Sequence, residues 1–367
     1  MDVDPTAAPS AAPSTARPLR VGLIGYGLAG AVFHAPLIAA TDGLVLDTVV
    51  TSSPERQRQA RAEHGEGLHV AADADALFAR AGELDLVVVA SPNRTHVELA
   101  GRALEAGLPV VVDKPLAATA AEAEALAGLA ERRGLLLSVF QNRRWDSDFL
   151  TLRGLLAEGA LGEVWRFESR FERWRPSLKG GWRESGDPAE LGGLLYDLGS
   201  HLVDQALVLF GPVLSVHAES EARRPGAEAD DDTFIALHHA SGVRSHLWMS
   251  STAAQLGPRL RVLGSRAAYV THGLDPQEDA LRAGRRPVPG EPWGEEPESA
   301  WGVLGAGEDV RPVPSRPGDY PAYYAAVADA LRTGGEPPVG AREAAEALRV
   351  LEAARTSAAE GRTVRLG

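Results

Sequence analysis

Residues 19–34 read LRVGLIGYGLAGAVFH, a short apolar run that ends in a glycine-rich turn. The run at 19–24 predicts a buried parallel strand, and a helix is predicted from about 29 to 40. The turn between them fits G-x-G-x-x-G, whose glycines permit a tight turn, close approach of a pyrophosphate and close packing of the helix. We therefore predict a dinucleotide site whose loop contacts are Gly25, Tyr26, Gly27, Leu28, Ala29 and Gly30.

The alternation continues along the chain to residue 141. Further strand-like runs lie at 44–50, 84–90, 109–112 and 135–140, and the stretches between them include an Ala-, Glu- and Leu-rich helix at 120–133. Strands that alternate with helices of this length indicate βαβ units. Residues 19–141 are thus predicted to form a Rossmann domain, an α/β fold with a doubly wound parallel sheet.

The second half of the chain has a different pattern. Residues 164–172 alternate apolar and charged side chains, as in a half-exposed antiparallel strand. Residues 142–367 are therefore predicted to form an α+β substrate and oligomerisation domain with a large, mostly antiparallel open sheet. Within it, the Pro-, Gly- and Glu-rich stretch 275–317 predicts a long loop. Helices near 322–332 and 342–360 are expected to pack back near the Rossmann domain.

Composition limits the classes of function. The 367 residues include 37 Lys and Arg against 50 Asp and Glu, a net charge of −13, which argues against nucleic acid as a partner. No apolar run is long enough to span a membrane. With no cysteine, disulfides and thiol catalysis are excluded, and a cytoplasmic location is expected. Residues 1–18, rich in Ala, Pro, Ser and Thr, predict a disordered tail.

The end of the second strand favours one cofactor over the other. An acidic residue at that position binds the ribose hydroxyls of NAD, but Asp47 comes too early because Thr48-Val49-Val50 continue the strand. Hydroxyl and guanidinium groups suit a 2′-phosphate. We therefore predict NADP, with NAD as the alternative, held at this end by Thr51, Ser52, Ser53 and Arg56.

Two further motifs connect the chain with a known family. Asp113-Lys114-Pro115 directly follows the strand at 110–112, and residues 192–201 read GGLLYDLGSH. With the glycine loop, these motifs resemble the glucose-fructose oxidoreductase/inositol dehydrogenase/MocA (Gfo/Idh/MocA) family, whose Glu-Lys-Pro motif here has Asp in the first position. Within it, the chain is similar to NADP-dependent scyllo-inositol dehydrogenases over 25–34, 142–146, 195–201 and 277–285. The resemblance implies hydride transfer between NADP(H) and a secondary alcohol or ketone of a cyclic polyol or sugar. An inositol is the expected substrate, and another sugar is the alternative.

The spacing of Asp197 and His201 suggests acid–base chemistry. On one helix, residues i and i+4 lie on the same face, where a carboxylate raises the basicity of an imidazole. Histidine suits proton transfer in both directions of alcohol oxidation, and Lys114 offers a cation to a developing alkoxide. The resemblance implies that Lys114, Asp197 and His201 form the catalytic set. Gln205 shares their face, but a second histidine is missing, so no metal is predicted.

The remaining candidate contacts follow predicted strands or lie in the second domain, and packing is the alternative role for each. The expected cofactor contacts also include Ser91, Pro92, Asn93, His96, Asp113 and Lys114. The expected substrate contacts are Lys114, Asn142, Arg143, Trp174, Arg175, Asp197, His201 and Tyr320.

Two other functions fit the same fold, a nucleotide-sensing binding protein and an NAD-dependent glycosidase. The expected partner is a small polyol or sugar, not a nucleic acid or a membrane. The half-exposed sheet of the second domain predicts a homodimer or homotetramer, because broad apolar faces are commonly buried between subunits.

Overall fold

The computed structural model describes residues 17–181, 184–186 and 191–367. The tail predicted at 1–18 lies outside the described residues except for its last two positions. Within the described ranges, no helix is long and apolar enough to cross a membrane.

The first domain is built on a six-stranded sheet in which every pairing is parallel. Its strands are β1 (Leu19–Ile24), β2 (Leu44–Val50), β3 (His69–Ala71), β4 (Leu86–Val89), β5 (Val110–Asp113) and β6 (Leu137–Phe140). They are ordered β3-β2-β1-β4-β5-β6, so the order reverses between β1 and β4. Ligands of such sheets bind in the crevice beyond the carboxyl ends of the strands at this point. The predicted Rossmann architecture is confirmed.

Helices cover both faces of this sheet. They are a π-helix (Ala29–His34), α1 (Ala35–Ala39), α2 (Pro54–His64), α3 (Ala74–Phe78), α4 (His96–Glu105) and α5 (Ala120–Arg133), with 3₁₀ turns at Ala81–Glu83 and Asn93–Thr95. The bounds of α5 are those predicted because its ends carry strong signals. Thr119 and Glu122 form a capping box, and Gly134 ends the helix in the left-handed conformation.

The second domain contains a nine-stranded sheet ordered β14-β13-β12-β11-β7-β10-β9-β8-β15. Its strands are β7 (Val164–Glu172), β8 (Val213–Glu221), β9 (Asp232–His239), β10 (Arg244–Ser250), β11 (Leu260–Gly264), β12 (Ala268–Thr271), β13 (Gly302–Ala306), β14 (Asp309–Val313) and β15 (Val364–Arg365). Only β7 and β10 pair in parallel; the other pairs are antiparallel. The predicted mostly antiparallel sheet is confirmed.

The helices of this domain lie on one face of the sheet and against the first domain. They are α6 (Ser147–Ala157), α7 (Leu194–Asp197), α8 (Gly199–Phe210), α9 (Gln277–Arg282), α10 (Pro321–Thr333) and α11 (Ala341–Glu360), with 3₁₀ turns at Asn142–Trp145 and Glu298–Ala300. Phe167 of β7 packs on Phe210 of α8, with 5.3 Å between ring centroids. The hydroxyl of Tyr323 in α10 donates to Ser138 in β6 at 2.9 Å, which joins the C-terminal helices to the Rossmann domain.

The prediction of a long loop over 275–317 is wrong. This stretch contains α9 and a hairpin formed by β13 and β14 at the edge of the large sheet. Proline is tolerated in an edge strand because one side of that strand needs no partner for its N–H groups, and Pro312 lies in β14. The composition that suggested a loop is therefore compatible with an edge hairpin.

Candidate active site

The glycine loop after β1 has two tight positions and one open position. Gly25 has φ +102°, and a Cβ there would lie 2.5 Å from the carbonyl oxygen of Ala90. A Cβ on Gly30 would lie 2.0 Å from the carbonyl oxygen of Gly25. At Gly27 the nearest atom would be Nη1 of Arg56, 3.8 Å away. The loop thus leaves an open cradle at Gly27 beside a guanidinium, which fits a bound diphosphate.

The end of β2 carries the hydroxyl groups of three consecutive residues, Thr51, Ser52 and Ser53. Ser53 caps α2, and its Oγ accepts the N–H of Arg56 at 3.4 Å. Ser52 is exposed and Thr51 is buried. Asp47 lies within the strand and pairs with Arg20 at 2.7 Å, so its carboxylate is already engaged. The acid of β2 is therefore paired inside the protein, and the residues that follow the strand offer hydroxyl groups to a 2′-phosphate.

The predicted contacts after β4 form a hydrogen-bonded loop. Oγ of Ser91 lies 2.6 Å from Oγ1 of Thr95, and Pro92 precedes the 3₁₀ turn that Asn93 begins. His96 is buried, with Nδ1 at 2.8 Å from the carbonyl oxygen of Pro115 and Nε2 at 2.9 Å from that of Ser91. Both ring nitrogens are engaged by backbone carbonyls, so His96 joins two loops of the cleft and leaves no ring nitrogen for a cofactor.

Of the three non-glycine residues of the loop, Ala29 is half-buried and begins the π-helix, and the two larger side chains differ in exposure. Tyr26 is buried, and its hydroxyl donates to Glu63 at 2.8 Å. Leu28 is 42% exposed and precedes the buried part of the π-helix. Leu28 therefore offers an apolar surface at the cleft, whereas Tyr26 anchors the loop to the end of α2.

The buried His34 and the half-buried Asp113 support the backbone of Lys114. Oδ1 of Asp113 accepts the backbone N–H of Lys114 at 2.8 Å and lies 3.8 Å from Nε2 of His34. Nδ1 of His34 contacts the hydroxyl of Tyr324 at 2.6 Å. Burial raises the pKa of Asp113, but His34, Lys114 and His96 outweigh it and hold the pKa below its usual value. The shorter carboxylate of this motif thus remains an anion that holds the lysine backbone.

Lys114 and Asp197 connect the two domains at the cleft. Nζ of Lys114 donates to the carbonyl oxygen of Asp197 at 2.7 Å and to its Oδ1 at 2.9 Å. An ammonium group has three N–H donors, and in the described part of the chain the third has no protein acceptor. The lysine is therefore oriented by two bonds and retains one donor for a ligand oxygen.

His201 is oriented by Gln141, a residue at the carboxyl end of β6 that the sequence analysis missed. Nδ1 of His201 lies 3.0 Å from Oε1 of Gln141. Because an amide oxygen can only accept, the neutral ring carries its proton on Nδ1 and has a lone pair on Nε2. Burial, followed by the charges of Lys114 and Arg143, lowers the pKa of His201 well below 6.5, while Asp197 acts in the opposite direction. The imidazole is therefore held neutral.

The expectation that Asp197 and His201 share one helix needs correction. Asp197 is the last residue of α7, and His201 is the third residue of α8, with Leu198 between the two helices. Leu198 has φ −102°, outside the usual helical value. This break lets Asp197 turn to Lys114 while the Nδ1 bond of His201 goes to Gln141.

Several predicted substrate contacts lie in a buried polar network instead. Arg143 contacts Glu278 and donates to the hydroxyl of Tyr320 at 3.1 Å, and that hydroxyl donates to Asp146 at 2.8 Å. Asn142 begins the same 3₁₀ turn and is also buried. The structure thus brings Arg143 and Tyr320 together in one hydrogen-bonded network, although Nε of Arg143 has no partner among the described residues.

A cavity of about 220 Å³ lies beside Asp197, and Arg175 lines it. Trp174, also predicted, is 56% exposed and is not among the lining residues. Arg173 lines the cavity and was missed, although it continues the inward-facing positions 167, 169 and 171 of β7. Strand alternation could have identified Arg173 if the strand had been extended by one residue.

Both domains of the chain match known protein families. Residues 19–141 match the description "Oxidoreductase family, NAD-binding Rossmann fold", and residues 153–366 match "Oxidoreductase family, C-terminal alpha/beta domain". The chain belongs to the Gfo/Idh/MocA oxidoreductase family. It is therefore an oxidoreductase with an NAD(P)-binding Rossmann domain, as the motifs at 25–30, 113–115 and 192–201 indicated.

Individual relatives within the family are similar over nearly their whole length. The uncharacterized oxidoreductase YdgJ of Escherichia coli is 47% identical, over 91% of this chain and 94% of its own. The NADP⁺ scyllo-inositol 2-dehydrogenase IolW of Bacillus subtilis is 37% identical, over 95% and 96%. The solved structure of yvaA from Bacillus subtilis has a TM-score of 0.89 at 36% identity, over 96% of this chain and 99% of that one.

Proposed function

We propose that this oxidoreductase transfers hydride between NADP(H) and a secondary alcohol or ketone of a cyclic polyol or sugar, with an inositol as the first candidate substrate. The proposal rests on the Lys114 ammonium group, which donates two hydrogen bonds to Asp197 and keeps its third N–H for a ligand oxygen. A fixed cation at a cleft beside a dinucleotide cradle suits an oxygen that gains negative charge as hydride leaves its carbon.

NADP is proposed over NAD because of the charge at the end of β2. The guanidinium of Arg56 lies next to Gly27, and Asp47 is engaged by Arg20 and Arg80. When bound, the nicotinamide supplies the hydride acceptor for oxidation and the hydride donor for reduction. The name of the relative IolW includes NADP⁺, which supports the same choice.

The roles of the protein groups follow from their protonation. In oxidation, the lone pair on Nε2 of His201 takes the hydroxyl proton, and the third N–H of Lys114 donates to the same oxygen. Asp197 holds Lys114 and supplies an acceptor for a neighbouring substrate hydroxyl. In reduction the same proton returns from His201 to the carbonyl oxygen. Charge and atoms balance as alcohol plus oxidised cofactor giving ketone, reduced cofactor and one proton.

The substrate class rests on the relatives and on the polar site. The relatives whose names specify a polyol or sugar include the scyllo-inositol 2-dehydrogenase IolW and, at 30% identity, a D-apiose dehydrogenase of Paraburkholderia graminis. The site presents Lys114, Asp197 and His201, which are donors and acceptors suited to several adjacent hydroxyls.

A substrate screen tests this proposal. Myo-inositol, scyllo-inositol, glucose and xylose are incubated with NADP⁺ or NAD⁺ while the absorbance of reduced cofactor is followed. We expect turnover with at least one polyol and a preference for NADP⁺. His201→Ala should lower kcat by about 10² or more while the Kd for NADPH stays within about twofold.

The alternatives give different results in the same experiment. Cofactor binding without turnover of any polyol or its ketone would favour a nucleotide-sensing protein. Glycoside cleavage without net change in cofactor absorbance would favour a glycosidase. An unchanged rate in His201→Ala would remove that residue from proton transfer.

We also propose that the protein forms a homodimer or homotetramer through the large sheet. The face opposite α8 carries an aromatic cluster on β9 and β10. In it, Phe234 lies 5.1 Å from Trp248, and the guanidinium of Arg170 stacks 3.9 Å from the Trp248 ring. Aromatic and arginine side chains of this kind are enriched where subunits meet.

A further inference from the structure

The cavity beside Asp197 has two walls of different character. Gly193, Leu194 and Asp197 form the wall at α7, and Arg173 and Arg175 come from the segment that follows β7. Backbone bonds hold that segment, because the N–H groups of Arg173 and Arg175 donate to Ser250 and Ser251, each at 2.8 Å. The two arginines are therefore carried on an ordered extension of the sheet that faces the Lys114–Asp197 pair.

The positive charges of this cavity are unequally compensated. Arg224, which also lines it, pairs with Asp231 at 2.8 Å and Glu184 at 3.1 Å. By contrast, neither Arg173 nor Arg175 has a side-chain hydrogen bond or ion pair with any residue the structure describes. Of the other acids that line the cavity, Asp197 is engaged by Lys114, and Asp230 accepts the N–H of Leu195 and the hydroxyl of Thr233. Positive charge therefore remains on the arginine wall.

Arg173 is half-buried and Arg175 is exposed, and neither pairs with a carboxylate of the described residues although the chain has a net charge of −13. Burial, and next the neighbouring Arg175, lower the pKa of Arg173, although Asp197 and Glu278 act in the opposite direction. Ionised groups removed from water normally have a partner, because desolvation without one is costly. A ligand that carries negative charge would provide the partner that the described residues do not.

We infer that the substrate is an acidic polyol or sugar, whose carboxylate or phosphate is bound by Arg173 and Arg175 while the reacting carbinol lies at Lys114. This inference rests on the proposed function and narrows its substrate class. Guanidinium groups bind both carboxylates and phosphates through paired N–H donors. The cavity of about 220 Å³ connects the arginine wall with Asp197, so one small molecule can contact both.

Matched neutral and acidic compounds test the inference. Glucose is compared with glucuronate and glucose 6-phosphate, and myo-inositol with myo-inositol 1-phosphate, by kcat/KM with NADP⁺. We expect wild type to prefer one acidic compound of a set to its neutral parent. Arg173→Gln and Arg175→Gln should each lower kcat/KM for that compound about 10- to 100-fold, and for the neutral parent less than about threefold. Arg153→Gln, at an exposed position of α6, is the control for loss of positive charge.

Calorimetry separates this inference from the proposed function. The Kd of each acidic compound is measured on the full chain with saturating NADP⁺, whether or not turnover occurs. Binding that weakens about 10- to 100-fold in Arg173→Gln but not in Arg153→Gln supports the anion site even if no compound is oxidised. The lower Kd, whether for the carboxylate compound or for a phosphate compound, shows which anionic group the site binds. The inference would be overturned if neither the carboxylate nor the phosphate compounds bound, or if acidic and neutral compounds were turned over equally. It would also be overturned if the arginine variants lost the same factor of kcat/KM for acidic and neutral compounds.

Discussion

Replacing Gln141 with Glu tests how the fold controls the protonation of His201. In the wild type, Nδ1 of His201 donates to a neutral amide oxygen at 3.0 Å, and the pKa of the ring lies well below 6.5. Gln141→Glu keeps the length and the acceptor oxygen but adds a negative charge next to the ring. The variant therefore changes the electrostatics of the histidine with little change in shape.

The expected size follows from the distance. Two unit charges 3.0 Å apart attract by about 5 kcal/mol at an effective dielectric constant of about 20. That energy corresponds to an upper limit of about 4 pH units in the pKa of His201. Burial of the new carboxylate opposes part of the gain, so we expect the pKa of His201 to rise by about 1–3 units.

The assay is the pH dependence of kcat/KM in both directions. Oxidation needs the neutral ring, so its acidic limb should move up by about 1–3 pH units in Gln141→Glu, and the rate near neutral pH should fall. Ketone reduction needs the protonated ring and should persist to higher pH. Gln141→Met, which adds no charge, should not move the acidic limb upward. If the two variants gave the same profile as wild type, His201 would not be the titrating group or Gln141 would not control it.

Three further predictions concern the cofactor and the sheet. Gly27→Ala should leave the Tm nearly unchanged but weaken NADPH binding, because the nearest atom to its Cβ is Nη1 of Arg56 at 3.8 Å. Gly30→Ala should lower the free energy of unfolding by about 1–3 kcal/mol, because its Cβ would lie 2.0 Å from the carbonyl oxygen of Gly25. Equal Tm values for the two variants would contradict this difference. Arg56→Ala should raise the Kd of NADPH about 10-fold or more while that of NADH changes less than about twofold, measured by fluorescence titration, and equal changes would argue against a 2′-phosphate contact. Trp248→Glu should lower the molar mass seen by light scattering, whereas an unchanged mass would exclude this face as the subunit contact.

Local signals predicted much of the first domain. The apolar runs became buried parallel strands, and the capping box at Thr119 and the glycine at 134 placed both ends of α5. The order of tight and open positions in the glycine loop also agrees with its sequence pattern. The capping interactions of α5 and the close approach of Gly30 to Gly25 are between residues close in sequence, whereas the contact of Gly25 with Ala90 depends on the pairing of β1 with β4.

Predictions failed for short elements and for residues whose partners are distant along the chain. The short elements β3 and α3 have too few residues for a periodic pattern, and α6 was not predicted either. The hairpin of β13 and β14 was read as a loop because its composition is that of loops, while its stability comes from pairing with β12. The contact of Gln141 with His201 could not be predicted, because no residue near Gln141 in sequence indicates a histidine 60 residues away.

The sequence by itself determined the Rossmann domain, the mostly antiparallel second sheet, the dinucleotide loop and the set Lys114, Asp197 and His201 as candidates. Only the tertiary structure decided how they are paired. The helix ends at Leu198, so that Asp197 bonds Lys114 and His201 bonds Gln141. Arg173 and Arg175 line the cavity without an ion pair to any described residue. The physical reason is that motifs depend on local backbone geometry, whereas protonation and charge balance depend on burial and on neighbours brought together by folding.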